Sequence, residues 1–287
     1  MTQSSDRFDL KAAPLRIGRV RLKVRDLAKV AAFYEDVLGL RRTAETADTV
    51  TLGTANMPLL ELAGDPALAP RDPRSAGLFH TAFLLPSRED LGRWLAFAAQ
   101  NRIPLSGASD HIVSEAIYLA DPEGNGIEIY ADRAPSRWRG TDGDITMATE
   151  PLGAQDLLAS AAGSTWSGFP EGGVIGHVHL QVGDTAQADR FYSDVLGFDV
   201  ASRYPGASFF GSGGYHHQLA GNIWNSRHAG PRPQGTAGLE SVEIVLRDPS
   251  EREAILARAE RAGLTASRDG TAATLDDPWG THITLVA

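Results

Sequence analysis

The chain has 287 residues, of which 42% are apolar and 22% charged, a composition that indicates a globular protein with room for two ordinary domains. Its net charge of −9 argues against binding to nucleic acid, which requires a basic surface. No apolar run approaches the roughly 18 residues that a membrane span requires, and the polar N-terminus lacks the apolar core of a signal peptide, so the cytoplasm is the expected compartment. Because the sequence has no cysteine, a metal would have to be held by His, Asp or Glu.

One segment of the sequence occurs twice. Residues 17–40 read IGRVRLKVRDLAKVAAFYEDVLGL, and residues 175–198 read IGHVHLQVGDTAQADRFYSDVLGF. A repeat of this length indicates duplicated architecture. The first copy has arginines where the second has His177 and His179, which predicts that the two copies no longer do the same work.

In chain order, each copy begins with a strand and continues into a helix. The alternation in RVRLKV predicts a half-buried strand. The apolar stripe that follows predicts a helix between Asp26, as its N-cap, and Gly39, as its stop. Short strands are predicted next, over residues 50–53 and 58–62.

A similar unit starts near Gly77, and its plan returns near Gly238. The predicted elements are a strand at 79–85, a helix at 88–101 and strands at 116–119 and 126–130, and then a strand at 241–246, a helix at 251–262 and a strand at 282–286. The sequence therefore predicts four modules, numbered one to four. They form an N-terminal domain at residues 14–134 and a C-terminal domain at 173–287, joined by a connector at 135–172 with a short helix over 154–162.

Several strings resemble a known family. FYEDVLGL and FYSDVLGF in the repeated helices, with DPEGNGIE closing module two, resemble the vicinal oxygen chelate superfamily of glyoxalase I, bleomycin-binding proteins and extradiol dioxygenases. GLFHTAFLLPSR, SEAIYLADPEGNGIEIYADR and GGYHHQLAGNIW are similar to strings of two-domain bacterial catechol 2,3-dioxygenases. The resemblance implies an α+β fold in which four βαβββ modules pair into two cup-shaped mixed sheets.

In this superfamily a metal is held by the first and last strands of two paired modules. The corresponding positions are Arg19 and Glu61 in module one, His80 and Glu128 in module two, His177 and His216 or His217 in module three, and Ser241 and Thr284 in module four, with Glu243 and His282 nearby. Modules one and two would put a cationic arginine beside the metal, and modules three and four lack a carboxylate at Thr284. Pairing module two with module three gives His80, Glu128 and His177, a set of two histidines and one carboxylate. We therefore expect the metal there, a metal-free cup from modules one and four, and His179 as the main rival ligand, because it shares the face of His177.

The resemblance also implies roles for other residues in this cup. The second histidine of an HHxLA string transfers protons in similar dioxygenases, and here it is His217. We expect His216 to face away, at the surface or in packing, because neighbouring strand residues point to opposite faces. A tyrosine ten residues before the carboxylate ligand, here Tyr118, would bind substrate oxygen, and His111 resembles a supporting histidine.

The sequence leaves two alternatives open for two aromatic residues and predicts no functional role for two arginines. Trp224 and Phe210 would wall an aromatic pocket or belong to the core. Arg19 and Arg21 would lie on a solvated strand edge.

The function that the resemblance implies is an extradiol dioxygenase. It would cleave catechol or a simple substituted catechol with O₂ and Fe(II), or with Mn(II), to a 2-hydroxymuconic semialdehyde-type product. Its partners would be a small aromatic diol and O₂, and the chain would form a homo-oligomer, a dimer or a tetramer, as similar proteins commonly do. The alternatives are a glyoxalase-like isomerase or thiol transferase, in which His217 is a fourth ligand, and a drug-binding protein whose cup needs no metal.

Overall fold

The computed structural model describes residues 7–141, 143–161 and 163–287, and it contains four βαβββ modules in chain order. Each module has a first strand, a helix and three further strands that form an antiparallel meander. Module one comprises β1 (Leu15–Val24), α1 (Leu27–Phe33), β2 (Arg41–Glu45), β3 (Thr49–Gly53) and β4 (Pro58–Gly64). Module two comprises β5 (Gly77–Leu84), α2 (Arg88–Gln100), β6 (Gly107–Asp110), β7 (Ser114–Ala120) and β8 (Gly126–Asp132).

The second half repeats the plan after a connector that contains α3 (Ala154–Ser160). Module three comprises β9 (Val174–Gln181), α4 (Thr185–Ala188), β10 (Asp199–Tyr204), β11 (Ala207–Gly211) and β12 (Leu219–Asn222). Module four comprises β13 (Gly238–Leu246), α5 (Pro249–Arg261), β14 (Ala266–Asp269), β15 (Ala272–Asp276) and β16 (His282–Val286). Single 3₁₀ turns lie at Leu10–Ala12 and Pro135–Arg137.

Helix α1 begins where the sequence predicts, and the helical segment stops at the expected glycine. The side chain of Asp26 accepts a hydrogen bond from a backbone N–H of the first turn at 3.1 Å. Gly39 has a φ of 71°, and a Cβ atom there would meet the Cα of Gly168 at 2.5 Å, so only glycine fits this close approach. Between these two points the chain leaves the α-helix and makes a π-helical turn at Tyr34–Leu38, and module three has the same feature at Asp189–Val195.

The two copies of the FY motif fasten consecutive modules to each other. The hydroxyl of Tyr34 donates to Oδ2 of Asp121 at 3.4 Å, and the hydroxyl of Tyr192 donates to Oδ2 of Asp277 at 2.7 Å. Both carboxylates begin an Asp-Pro-x-Gly turn and are buried, and their other oxygen accepts two backbone N–H groups of that turn. A tyrosine from the first module of each half therefore satisfies a buried carboxylate in the second module.

The sheets join the halves in a different way, because consecutive modules do not share a sheet. Modules two and three form one eight-stranded sheet, the 2–3 sheet, in the order β10-β11-β12-β9-β5-β8-β7-β6. Modules one and four form the other, the 1–4 sheet, in the order β14-β15-β16-β13-β1-β4-β3-β2. The predicted fold class and the predicted pairing of modules two and three are confirmed. Each sheet draws on both halves, so the division at residues 14–134, 135–172 and 173–287 stays a prediction about the order of modules along the chain.

The prediction of a solvated strand edge for Arg19 and Arg21 is wrong in its position. Both residues lie on β1, which is in the middle of the 1–4 sheet between β13 and β4. Arg19 pairs with Glu61 at 2.7 Å, and Arg21 pairs with Glu61 at 3.0 Å and with Glu240 at 2.7 Å. The two arginine side chains are about 40% exposed, and they neutralise carboxylates on the neighbouring strands.

The connector helix lies close to its predicted place. It spans Ala154–Ser160, and residue 162, where the prediction ended, lies outside the described residues. Its Leu157 is fully buried against α2, where a Cβ on Gly92 would meet the Leu157 carbonyl oxygen at 2.4 Å. Across residues 7–141, 143–161 and 163–287, no helix is long and apolar enough to cross a membrane.

The Tyr–Asp contacts predict that loss of the Tyr192 hydroxyl destabilises the fold more than loss of the Tyr34 hydroxyl. Tyr192→Phe should lower the free energy of unfolding by about 1–3 kcal/mol, because it removes a short hydrogen bond to a buried carboxylate. Tyr34→Phe is the matched control and should cost less, because its bond is longer and Oδ2 of Asp121 also accepts from Asn125 at 2.8 Å. Urea unfolding measures both values, and equal losses would contradict the role given to the Tyr192 contact.

Candidate metal centre and active site

Three side chains converge in the middle of the 2–3 sheet. His80 Nε2 lies 2.9 Å from Glu128 Oε2, and His177 Nε2 lies 3.2 Å from the same oxygen. The two imidazole nitrogens are 3.3 Å apart. All three residues are buried, and they form a group whose ligand atoms lie within 4.8 Å of one another.

The register of three adjacent strands explains this convergence. On β5, Ala82 pairs with His177 of β9 on one side and with Glu128 of β8 on the other. His80 is two residues before Ala82, so its side chain points to the same face of the sheet. One face of three neighbouring strands therefore presents all three groups.

The charges and spacing of the three groups fit a divalent metal. Burial acts to raise the pKa of Glu128, but the opposing charges of His177 and His80 outweigh it and hold that pKa well below its usual value. Burial lowers the pKa of His177, against the pull of Glu128, so the imidazole stays neutral and can donate a lone pair. Three ligands at right angles around an ion at about 2.1 Å would lie about 3.0 Å apart, close to the separations observed.

His179 points into the same cup but stands outside this group. Its Nε2 accepts a hydrogen bond from the side-chain amide of Asn222 at 3.0 Å. Its ring packs edge-on against His80, with ring centroids 4.9 Å apart. Burial, followed by the charges of His80 and His177, lowers the pKa of His179 well below its usual value. The structure therefore gives the rival ligand another hydrogen-bond partner.

His217 lies beside the three groups. Its ring centroid is 4.1 Å from that of His177, and its Nδ1 contacts His216 Nδ1 at 2.9 Å. Burial, and then the charge of His177, lowers its pKa well below the usual value. His217 is therefore a neutral imidazole at the wall of the site, and among the described residues it is not part of the three-residue ligand group.

His216 faces away from the cavity, as expected, but the expected reason, strand alternation, is wrong. His216 and His217 lie in the loop before β12, so the alternation of a strand does not apply to them. His216 is fully buried rather than at the surface, and its Nε2 contacts Oδ1 of Asp132 at 2.8 Å. The packing alternative describes it better, with the addition of two hydrogen-bond partners that the sequence did not indicate.

Tyr118 and His111 form a hydrogen-bonded pair on the other side of the cup. The Tyr118 hydroxyl lies 2.6 Å from His111 Nε2, and His111 Nδ1 lies 2.7 Å from the carbonyl oxygen of Ala148. A carbonyl only accepts, so Nδ1 carries the hydrogen, and in the neutral ring Nε2 accepts from the tyrosine. Tyr118 pairs directly with Glu128 across β7 and β8, which accounts for their spacing in sequence. Burial, and then the charge of Glu128, raises the pKa of Tyr118 well above its usual value.

Apart from His216, the groups described above border one cavity of about 570 Å³. Trp224 lines it and is 46% exposed, so its predicted place in the wall is confirmed. Phe210 is fully buried and packs on Tyr192, so for this residue the core alternative is correct. Its neighbour Phe209 faces the cavity instead, because successive residues of β11 alternate between faces.

The connector contributes a wall that sequence reasoning missed. Residues 147–149 line the cavity, and the Ala148 carbonyl orients His111. Asp110 of β6 bonds to Glu150 through the backbone in both directions at 2.9 Å, which lays the connector along the edge of the sheet. No periodicity marks this segment, so its contribution is visible only in the folded chain.

Sequence comparisons relate both halves of the chain to one family. Residues 16–129 and 174–284 match the family described as the Glyoxalase/Bleomycin resistance protein/Dioxygenase superfamily. The chain is 38% identical to catechol-2,3-dioxygenase of Bacillus subtilis (strain 168) over 278 residues, which cover 94% of this chain and 96% of that protein. It is 30% identical to biphenyl-2,3-diol 1,2-dioxygenase 3 of Rhodococcus globerulus over 134 residues, which cover 44% of this chain and 68% of that protein.

The fold has solved counterparts. A single-residue mutant of glyoxalase I from Zea mays superimposes with a TM-score of 0.59 at 17% identity, covering 96% of this chain and 95% of that one. At this identity the likeness concerns the fold alone. Together with the family match over most of both halves, it leads to one conclusion: the chain belongs to the Glyoxalase/Bleomycin resistance protein/Dioxygenase superfamily.

Proposed function

We propose that this chain is an extradiol dioxygenase that opens the ring of catechol or a simple substituted catechol with Fe(II) and O₂, giving a 2-hydroxymuconic semialdehyde-type product. The observation that carries the proposal is the convergence of His80, Glu128 and His177 into one ligand group. His217 lies beside this group but does not belong to it. The 38% identity to a catechol-2,3-dioxygenase over 94% of the chain supports the same reaction class.

His80, Glu128 and His177 would hold the ion, and Mn(II) suits the same ligand set. When bound, Fe(II) supplies a site at which catechol and O₂ meet and exchange electrons. A set of three protein ligands would leave room at the ion for both substrate and O₂, and a fourth protein ligand would take part of that room. This is why the separation of His217 from the ligand group favours ring cleavage over a reaction that uses four protein ligands.

His217 serves as the proton-transfer residue. It lines the cavity as a neutral imidazole, so it accepts a proton from a catechol hydroxyl at neutral pH. The imidazolium that forms lies beside the His177 ring and returns the proton to an oxygen atom during ring opening.

Tyr118 orients the substrate from the opposite side. In this proposal its hydroxyl donates to Nε2 of a neutral His111, and the phenol oxygen accepts a hydrogen bond from a catechol hydroxyl. The carbonyl of Ala148 keeps His111 in the tautomer that this arrangement needs. The apolar side chains of Phe79, Phe209 and Trp224 cover the remaining wall and limit water in the cavity.

The cavity volume bears on the substrate. About 570 Å³ lies within the ~300–1,000 Å³ range of small-molecule sites. A single aromatic ring does not fill this space, which agrees with tolerance of a ring substituent. Aromatic residues at the rim, Tyr204 and Trp224, are about half exposed and would contact such a substituent.

Turnover provides the direct test. The chain loaded with Fe(II) under anaerobic conditions should consume O₂ when catechol is added and form a yellow product, measured with an oxygen electrode and by absorbance. Absence of uptake across a panel of catechols, with turnover of a glutathione hemithioacetal, would favour a glyoxalase-like reaction. Tight binding of aromatic ligands without any bound metal would favour a drug-binding protein.

Removal of a ligand group should remove the metal. Glu128→Gln keeps the shape of the side chain but loses its charge, and the affinity for Fe(II) or Mn(II) should fall by about 100-fold or more. The control is His179→Asn, which changes a histidine on the same face and should retain metal. Metal content after gel filtration measures both, and loss of the ion from His179→Asn with retention in Glu128→Gln would overturn the ligand assignment.

Substitution of His217 should separate proton transfer from binding. His217→Asn should lower kcat by about 10²–10⁴-fold, the usual contribution of a general base, with metal content and anaerobic catechol affinity close to those of the unsubstituted chain. Tyr118→Phe should raise KM as well, because its hydroxyl positions substrate. Loss of metal from His217→Asn would instead identify His217 as a fourth ligand.

A further inference from the structure

We propose that His216 and Asp132 are positioning residues that fix the hydrogen of His217 on Nδ1 and leave its Nε2 as a free acceptor toward the cavity. The inference rests on the proposed function in one respect, namely that His217 handles the proton. It concerns the fully buried His216 and the partly buried Asp132, to which that function gives no part.

The three residues form a continuous chain of contacts. His217 Nδ1 lies 2.9 Å from His216 Nδ1, and His216 Nε2 lies 2.8 Å from Asp132 Oδ1. Asp132 is the last residue of β8, the strand that carries Glu128. Module two therefore supplies both the carboxylate of the ligand group and the carboxylate at the far end of this chain, whereas module three supplies the two histidines.

The direction of the hydrogens follows from what each group can donate. An ionised carboxylate only accepts, so His216 Nε2 carries a hydrogen and donates it to Asp132. We take His216 as a neutral imidazole, in which the other nitrogen has a lone pair, so His216 Nδ1 accepts. The contact between the two Nδ1 atoms needs one hydrogen, and it must come from His217. His217 Nε2, at the opposite edge of a ring that lines the cavity, is therefore unprotonated.

The surroundings hold His216 and Asp132 in this arrangement. Tyr215 donates to Asp132 Oδ2 at 2.9 Å, and burial followed by the charge of Asp132 raises the pKa of this phenol well above its usual value, so it stays a donor. The ring of His216 lies between those of Tyr215 and Trp138, at centroid distances of 4.0 and 5.0 Å. His216 is fully buried, and both of its ring nitrogens have side-chain partners.

A base must present a lone pair to its substrate, so the tautomer of His217 decides whether it can act. The logic is that of the Asp–His pair in a serine protease triad, where the carboxylate sets the tautomer of the base. Here the imidazole of His216 lies between Asp132 and His217, so the carboxylate sets the tautomer of His217 through His216. Without this constraint His217 could carry its hydrogen on Nε2. That nitrogen would then be a donor facing the donor hydroxyl of catechol, and it could not accept a proton.

Asp132→Asn tests the inference, because an amide reverses the direction of the hydrogen bonds that connect residue 132, His216 and His217. The amide oxygen keeps the hydrogen bond from Tyr215, and the amide nitrogen donates to His216 Nε2. His216 Nδ1 then carries the hydrogen, and His217 is forced to hold its own on Nε2. The expected result is a kcat lowered by about 100-fold with Fe(II) and catechol, while metal content and anaerobic catechol affinity change little.

The tautomer itself is measured by ¹⁵N NMR on the full chain, metal-free and labelled at histidine, with the His217 signals assigned by their loss in His217→Asn. The unsubstituted chain should show an unprotonated Nε2 on His217, and Asp132→Asn should show a protonated one. A protonated Nε2 in the unsubstituted chain, or no change in Asp132→Asn, would overturn the inference whatever the activity. The measurement on the unsubstituted chain does not depend on the folding of a variant.

Asp277→Asn is the matched control, since Asp277 is a buried carboxylate that, like Asp132, accepts from a tyrosine hydroxyl, but in module four. It should lower stability and leave both the His217 tautomer and kcat unchanged, and an equal loss of kcat would overturn the positioning role. If the tautomer inverts in Asp132→Asn and kcat does not fall, the positioning stands, and the proton-transfer role of His217 in the proposed function is wrong.

Discussion

The antiparallel pairing of β5 with β9 is the contact on which the site depends. It joins the two halves of the chain and sets Ala82 opposite His177, while β8 pairs with the other side of β5 and sets Glu128 opposite Ala82. Because side chains alternate along a strand, a slip of one residue would turn His177 to the opposite face. The apolar residues that alternate with the polar ones, such as Phe83 and Val178, are fully buried and oppose such a slip.

Duplication and divergence have given the two sheets different contents. Arg19 on β1 corresponds to His177 on β9 in the repeated segment, and both lie on the central strand pair of their sheets. In the 1–4 sheet the arginine pairs with Glu61, so the carboxylate there is already neutralised by a cation. In the 2–3 sheet imidazole rings, which can themselves bind a metal, lie beside Glu128 in place of guanidinium groups. Exchanges of residue type at corresponding positions, Arg19 for His177, Ser241 for His80 and Thr284 for Glu128, therefore separate an ion-paired surface from a candidate metal centre.

Sequence reasoning succeeded where a residue type limits the choices and failed where position depends on distant segments. Counting His and carboxylate positions predicted that module two pairs with module three, because neither pair of consecutive modules offers two histidines and a carboxylate without a cation. Asp26 and Gly39 marked the helix ends because capping and a positive φ are local requirements. The surroundings of His216 were not predictable, since they depend on a loop that leaves the strand pattern. The wall formed by Ala148 was equally hidden, because the connector is ordered by the sheet edge and not by a pattern of its own.

In the proposed function, two hydrogen-bond chains on opposite sides of the cup have the same polarity. One runs from Tyr118 through His111 to the carbonyl of Ala148, and the other from His217 through His216 to a carboxylate. Each ends in a group that can only accept, so each hydrogen is drawn away from the cavity. The cavity is left with an acceptor on either side, the phenol oxygen and the imidazole Nε2. A substrate with two adjacent hydroxyl groups brings two hydrogens that need acceptors, so this polarity suits a catechol better than a ligand that brings only acceptors.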